Sequence, residues 1–131
     1  MIKIAVYGTL RKGFDNYQYL LSDQEFLGQE IVSLPFKMVS LGGFPGLVAS
    51  ETNNNAVIEV FNVDEEVFRS VDGLEGYPRF YDRTRIKTSY GDAWIYFLAD
   101  KNSYEYRTVI PNGDWSIYIN EKRTQRNEIF S

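Results

Sequence analysis

The apolar positions of this chain fall mostly in short blocks, and one stretch keeps helical spacing. Residues 2–6 form a mainly apolar run of strand length, and residues 7–13 follow as a loop holding Gly8 and Gly13. A short helix is expected over 16–21, with Tyr17, Leu20 and Leu21 on one face. Strands are expected over 25–32 and 36–41, a loop over 42–46, a returning strand at 47–49 and a polar turn at 51–55. Residues 56–63 alternate apolar and polar, as a half-buried strand does. The clearest helix runs over 64–75. Asp64 caps it, Glu65 and Glu66 suit its positive end, and Val67, Phe68, Val71 and Leu74 mark its apolar face. Gly76 ends it and Pro78 prevents continuation. Residues 81–88 and 93–98 read as a hairpin over 89–92. Beyond Lys101 the pattern weakens, and residues 111–131 are expected to wrap the body with Trp115, Ile117, Tyr118 and Ile119 as anchors. Many short strands with one good helix indicate a single α+β domain over 1–131, built on a small mixed sheet or barrel with flanking helices.

Composition narrows the chemistry. Apolar residues make up 44% and aromatics 16% of 131 residues, which supports a real core. No apolar run reaches membrane-spanning length, and the opening residues lack a signal-peptide layout. The formal net charge is −4 without a long basic run, so neither a nucleic-acid nor a membrane partner is expected. There is no histidine and no cysteine. Cys-His and Ser-His-Asp catalysis and the common zinc sites are thereby excluded, and any catalytic base must be Asp, Glu, Tyr, Lys or a terminal amine. The missing cysteine also fits a reducing compartment, and a cytoplasmic location is expected.

Four constellations can carry chemistry. On the helical wheel Glu75 lies about 20° from Phe68 and about 40° from Val71, on an otherwise apolar face. Burial and the negative helix C-terminus would both raise its pKa toward that of a neutral-pH acid or base. Alternatively, the helix frays early and Glu75 turns to solvent. The second constellation is Tyr7-Gly8-Thr9-Leu10, where a glycine after a buried strand lets backbone amides approach a carboxylate or oxyanion. A plain turn accounts for it as well. In the third, residues 77–83, Tyr81 can donate to a bound carbonyl or carboxylate and Arg83 can pair with an anion. Arg79 and Arg85 read as surface residues. The fourth, residues 42–46 with Pro45, forms either a pocket wall or a simple turn.

Together these segments resemble the gamma-glutamylcyclotransferase-like superfamily. The opening strand with Tyr7-Gly8-Thr9-Leu10-Arg11-Lys12-Gly13 and Asn16 is similar to its N-terminal signature. Val71-Asp72-Gly73-Leu74-Glu75-Gly76-Tyr77-Pro78, followed by Tyr81 and Arg83, is similar to its catalytic signature. Gly43-Phe44-Pro45-Gly46 and Ile110-Pro111-Asn112-Gly113-Asp114-Trp115 also resemble family patterns, and the short length resembles the gamma-glutamylamine cyclotransferase branch. The resemblance implies a small mixed barrel with flanking helices. It implies that amides of residues 7–10 hold a gamma-glutamyl group, with Tyr81 orienting it, and that Glu75 is the catalytic carboxylate. The implied reaction is cofactor-free acyl transfer within the substrate, releasing 5-oxoproline and a free amine, with no metal. A rival class is a binding module that keeps the pocket without turnover; another is an interaction protein using exposed aromatics.

Overall fold

The computed structural model describes residues 1–130. Its centre is β1 (Ile2–Val6), whose alternate side chains feed two cores on opposite faces of one sheet. Ile4 and Val6 pack with Phe61, Val63, Phe68 and Val71, while Ala5 and Tyr7 pack with Ile58, Val60, Ile95 and Trp115. Burial on both faces explains why β1 is apolar at nearly every position.

The remaining elements are α1 (Asp15–Leu20), β2 (Glu25–Ser40), β3 (Pro45–Val63), α2 (Glu65–Glu75), β4 (Tyr81–Thr88), β5 (Gly91–Leu98), α3 (Lys101–Tyr104) and α4 (Trp115–Phe130). The sheet order is β2-β3-β1-β5-β4. β1 runs antiparallel to β3 and parallel to β5, so the sheet is mixed as expected; it is open, with β2 and β4 at its edges.

Three expectations are corrected. The separate strands 25–32 and 36–41 are one strand, β2, interrupted by a register shift at Pro35. The expected polar turn at 51–55 is part of the continuous β3. Phe36 pairs with Ala49 but Leu34 pairs with Asn54, so four residues of β3 stand opposite Pro35 alone. Proline has no amide to donate to the ladder, and the excess residues bulge into solvent, where polar side chains belong. Asn54 closes the bulge by donating to the Phe36 carbonyl at 3.1 Å. Third, residues 111–130, expected to wrap the body and assigned no element, form a 3-10 turn (Pro111–Gly113) and a 16-residue helix, and the expected last wrapping residue, Ser131, lies outside the described residues. Trp115 is fully buried and Tyr118 and Ile119 pack beside it, but Ile117 is mostly exposed and is no anchor.

Helix α2 follows its sequence signals closely. The Asp64 carboxylate accepts from Val67 N at 2.8 Å, capping the first turn. Gly76 takes the left-handed conformation at φ 66°, and its amide and that of Tyr77 close onto the Gly73 and Asp72 carbonyls at 3.2 and 3.0 Å. The helix therefore persists through Glu75. Phe68 and Val71 are its buried residues; Leu74, expected with them, is 46% exposed at the rim of the cavity described below.

Candidate active site

The chain leaves β1 directly into a turn closed by the Arg11 amide donating to the Gly8 carbonyl at 3.0 Å. Two anchors fix this turn. Asn16 donates to Thr9 Oγ1 at 2.8 Å and Tyr17 N to the Thr9 carbonyl at 3.3 Å, tying it to α1. On the other side Arg11 is almost fully buried and its Nε meets Glu59 Oε2 on β3 at 3.0 Å, while Lys12 N donates to Glu59 Oε1 at 2.8 Å. Arg11 Nη1 also reaches Asp114 at 3.1 Å, and Asp114 in turn accepts from Ile117 N at the start of α4. The carbonyl side of the turn is thus committed. The amides of Gly8, Thr9 and Leu10 donate to no acceptor among the described residues.

Gly8, Thr9 and Leu10 line a cavity of about 380 Å³ that is also walled by Pro45, Leu74, Glu75, Phe80, Tyr81 and Tyr96. Two segments far apart in sequence, residues 7–10 and the end of α2, therefore meet in one space. Gly8 is required for this. A Cβ there would stand 2.8 Å from both Cγ and Cδ of Pro45, so only glycine lets the turn approach the opposite wall. Its φ is not in the left-handed region; close approach is the sole reason.

Glu75 forms no hydrogen bond or ion pair with a described residue, although it is half-buried among apolar and aromatic side chains. Desolvation, and secondarily the negative charge of Asp72 one turn earlier, lift its pKa from 4.5 to about 7. Burial, expected from the sequence, is thus the larger cause, and the Asp72 carboxylate adds to it. Asp72 itself is held by Tyr96 Oη at 2.5 Å and by Arg83 at 3.0 and 3.3 Å. The Arg83 guanidinium stacks over the rings of Tyr77, Trp94 and Phe68, at 4.1, 4.4 and 4.7 Å from their centroids.

The tyrosines form the frame of the cavity. Tyr7 Oη donates to the Tyr96 carbonyl at 2.8 Å and accepts from Leu47 N at 3.2 Å. Tyr81 Oη donates to the Pro45 carbonyl at 2.6 Å. Burial foremost, and nearby negative charge including Glu75, push the pKa values of Tyr7, Tyr81 and Tyr96 upward, so all three remain protonated. Glu75 is the cavity group left to exchange a proton near neutral pH.

Two site residues expected from sequence have partners within the protein. Tyr81 lines the cavity, and its hydroxyl donates to the Pro45 carbonyl on the opposite wall. Arg83 does pair with an anion, but that anion is Asp72, and Arg83 is not on the cavity wall. Phe44 and Phe80 lie in the two segments, 42–46 and 77–83, that the sequence offered as candidates, whereas Asp72 and Tyr96 were not singled out. Asp72 had a readable signal, since it lies three residues before Glu75 and so on the same helix face. Among the described residues no group of three His, Cys, Asp or Glu side chains gathers as a metal site.

Fold and cavity together define a small α+β protein with a cavity between the turn after β1 and the end of α2. The sequence profile of the family described as gamma-glutamyl cyclotransferase, AIG2-like, matches residues 4–117. The chain belongs to that family. It is 38% identical over 112 residues to a Vibrio cholerae protein provisionally named a gamma-glutamylcyclotransferase, covering 86% of this chain and 93% of that one. It is 31% identical over 94 residues to the gamma-glutamylaminecyclotransferase of Rattus norvegicus, covering 66% of this chain and 63% of the rat protein. Its fold is similar to the crystal structure of a Pyrococcus horikoshii protein, with a TM-score of 0.77, 26% identity and 98% of each chain covered. No helix among the described residues is long and apolar enough to cross a membrane.

Proposed function

We propose that this chain is a cytoplasmic, cofactor-free gamma-glutamyl(amine) cyclotransferase that converts a gamma-glutamyl amine into 5-oxoproline and the free amine. The observation that carries this reading is the meeting of unengaged amides at Gly8, Thr9 and Leu10 with an unpartnered Glu75 in one cavity. The amides suit the substrate carboxylate or the developing oxyanion. Glu75 suits the proton transfers.

The substrate supplies its own nucleophile. Its α-nitrogen attacks the γ-carbonyl carbon, closing a five-membered ring, and the bond from that carbon to the leaving nitrogen breaks. Well-oriented attack of this kind corresponds to effective molarities of about 10⁵–10⁸ M. Ionised Glu75 takes a proton from the α-nitrogen and then delivers it to the departing nitrogen, so the enzyme ends as it began. No serine or cysteine is needed. A pocket used only for binding would gain nothing from a carboxylate held near neutral pKa.

The test is a mass-spectrometric screen of gamma-glutamyl amines for 5-oxoproline. Release of 5-oxoproline is the expected result, and its absence across the panel would refute the reading. For a working substrate, kcat/KM should rise about tenfold per pH unit below pH 7 and level off above it, because Glu75 must be ionised to act as base. A flat profile between pH 5 and 8 would assign the proton transfer elsewhere.

Gly8→Val should weaken binding of a non-reacting gamma-glutamyl analogue at least tenfold while the protein stays folded. Its Cβ would press on Pro45, whose carbonyl is fixed by Tyr81, and the turn must withdraw from the cavity. Calorimetric titration measures this, and unchanged affinity in a folded variant would show that the turn holds no ligand.

A further inference from the structure

We infer that the leaving amine taken by this site carries an aromatic or comparably bulky apolar group, an assignment that rests on the cyclotransferase reading above. The cavity has an inner and an outer part. Tyr7, Leu10, Tyr81 and Tyr96 are buried and form the floor, beside the free amides that suit the gamma-glutamyl portion. Phe44 and Leu74 are 38% and 46% exposed, and with half-buried Phe80 they form the mouth. A substrate held by its gamma-glutamyl end points its leaving group toward that mouth.

The mouth is built to present apolar surface. Phe44 sits on a tight turn closed by Leu41 N donating to its carbonyl at 2.8 Å. Its ring meets that of Phe80 edge-on at 6.2 Å, and Phe80 is braced by Tyr81 at 5.0 Å and Tyr104 at 5.9 Å. These rings are positioned by neighbours, line the cavity and stay partly exposed, which is where an apolar ligand contributes most. Among the lining residues Glu75 is the only charged side chain. An amino-acid or peptide leaving group would bring a carboxylate for which the lining offers no cationic partner. A benzyl-like or branched-alkyl group would find Phe44, Phe80 and Leu74.

The test uses the purified protein with gamma-glutamyl conjugates of benzylamine, phenethylamine, isopentylamine, methylamine, alanine and the lysine ε-amine, each read by 5-oxoproline release. The benzylamine and phenethylamine conjugates should exceed the alanine and lysine conjugates in kcat/KM by about 10–200-fold, the range an apolar pocket supplies. Phe44→Ser should reduce that ratio about fivefold or more, mainly through KM, because it removes ring contact at the mouth. Equal or better turnover of the alanine or lysine conjugates would overturn the inference and leave the cyclotransferase reading standing, as would a ratio untouched by Phe44→Ser. Silence from every conjugate, methylamine included, would overturn both.

Discussion

Glu75→Gln should lower the rate of 5-oxoproline release by about 10²–10⁴-fold, the usual contribution of a positioned acid–base group, and should make the protein more stable at pH 8. The two effects have one origin. Burial first, and Asp72 second, raise the Glu75 pKa from 4.5 to about 7 in the folded protein. Below pH 4.5 the carboxyl is protonated whether the chain is folded or not, and nothing is at stake. Between 4.5 and 7 the unfolded chain releases a proton that the folded chain retains, so stability falls as pH rises through this window. Above 7 the deficit is constant at about 1–3 kcal/mol, the lower end reflecting water that reaches a half-buried carboxylate. Glutamine keeps the shape and carries no charge. The wild type and Glu75→Gln should therefore melt alike near pH 4 and diverge by pH 8, with the inactive variant melting higher. Thermal melts at pH 4, 6 and 8 beside turnover at pH 8 test the pair. A variant that keeps most of its turnover would show that the transferred protons pass through another group.

Glu75 was legible in the sequence because a helix announces its own faces. Asp64 marks the start of α2, Gly76 marks the end, and the wheel between them places one carboxylate on the apolar side. The turn after β1 was legible for a similar local reason, a glycine following a buried strand. What could not be read locally was the tertiary pairing of side chains. Arg83 and Tyr96 reach Asp72 across separations of 11 and 24 residues, and only the packing of α2 against β4 and β5 decides that Arg83 serves a protein carboxylate and not a ligand. Tyr81 shows the same limit, since its Pro45 partner lies 36 residues away. The bulge opposite Pro35 misled the strand assignment because a polar stretch protruding from a ladder has the composition of a turn. Helix α4 escaped because, after Ile119, its polar residues carry no apolar stripe; its anchoring rests on Trp115 and the two packed residues that follow. The mouth of the cavity was hidden in plain view, since Leu74 continues the helical spacing of the core yet stands at the rim.

Arg11→Ala should cost about 3–5 kcal/mol, because it strips the partner from a glutamate buried as deeply as the core. The Arg11 and Glu59 side chains are only 5% and 6% exposed, so water cannot replace the lost ion pair. Against a typical total stability of about 5–15 kcal/mol, that loss leaves a marginal protein. Taken alone, such a result would say only that a buried charge needs its counter-charge. The double substitution Arg11→Met with Glu59→Leu separates stability from function. It fills similar volume with apolar groups, and replacements of this kind are commonly neutral or stabilising. Asp114 keeps its bond to Ile117 N, and the exposed Gln29 and Lys12 amide can turn to water. Melting temperature should therefore return close to the wild-type value. The turn over residues 8–11 should not recover with it, because the Arg11 fork and the Lys12 amide are what fix it to β3 and to the start of α4. Binding of a gamma-glutamyl analogue should stay weakened in the restored protein, by about tenfold if the orienting contact amounts to some 1.4 kcal/mol. A double variant that regains both melting temperature and affinity would reduce the Arg11–Glu59 pair to a stability element and leave the amides at Gly8, Thr9 and Leu10 positioned by α1 alone.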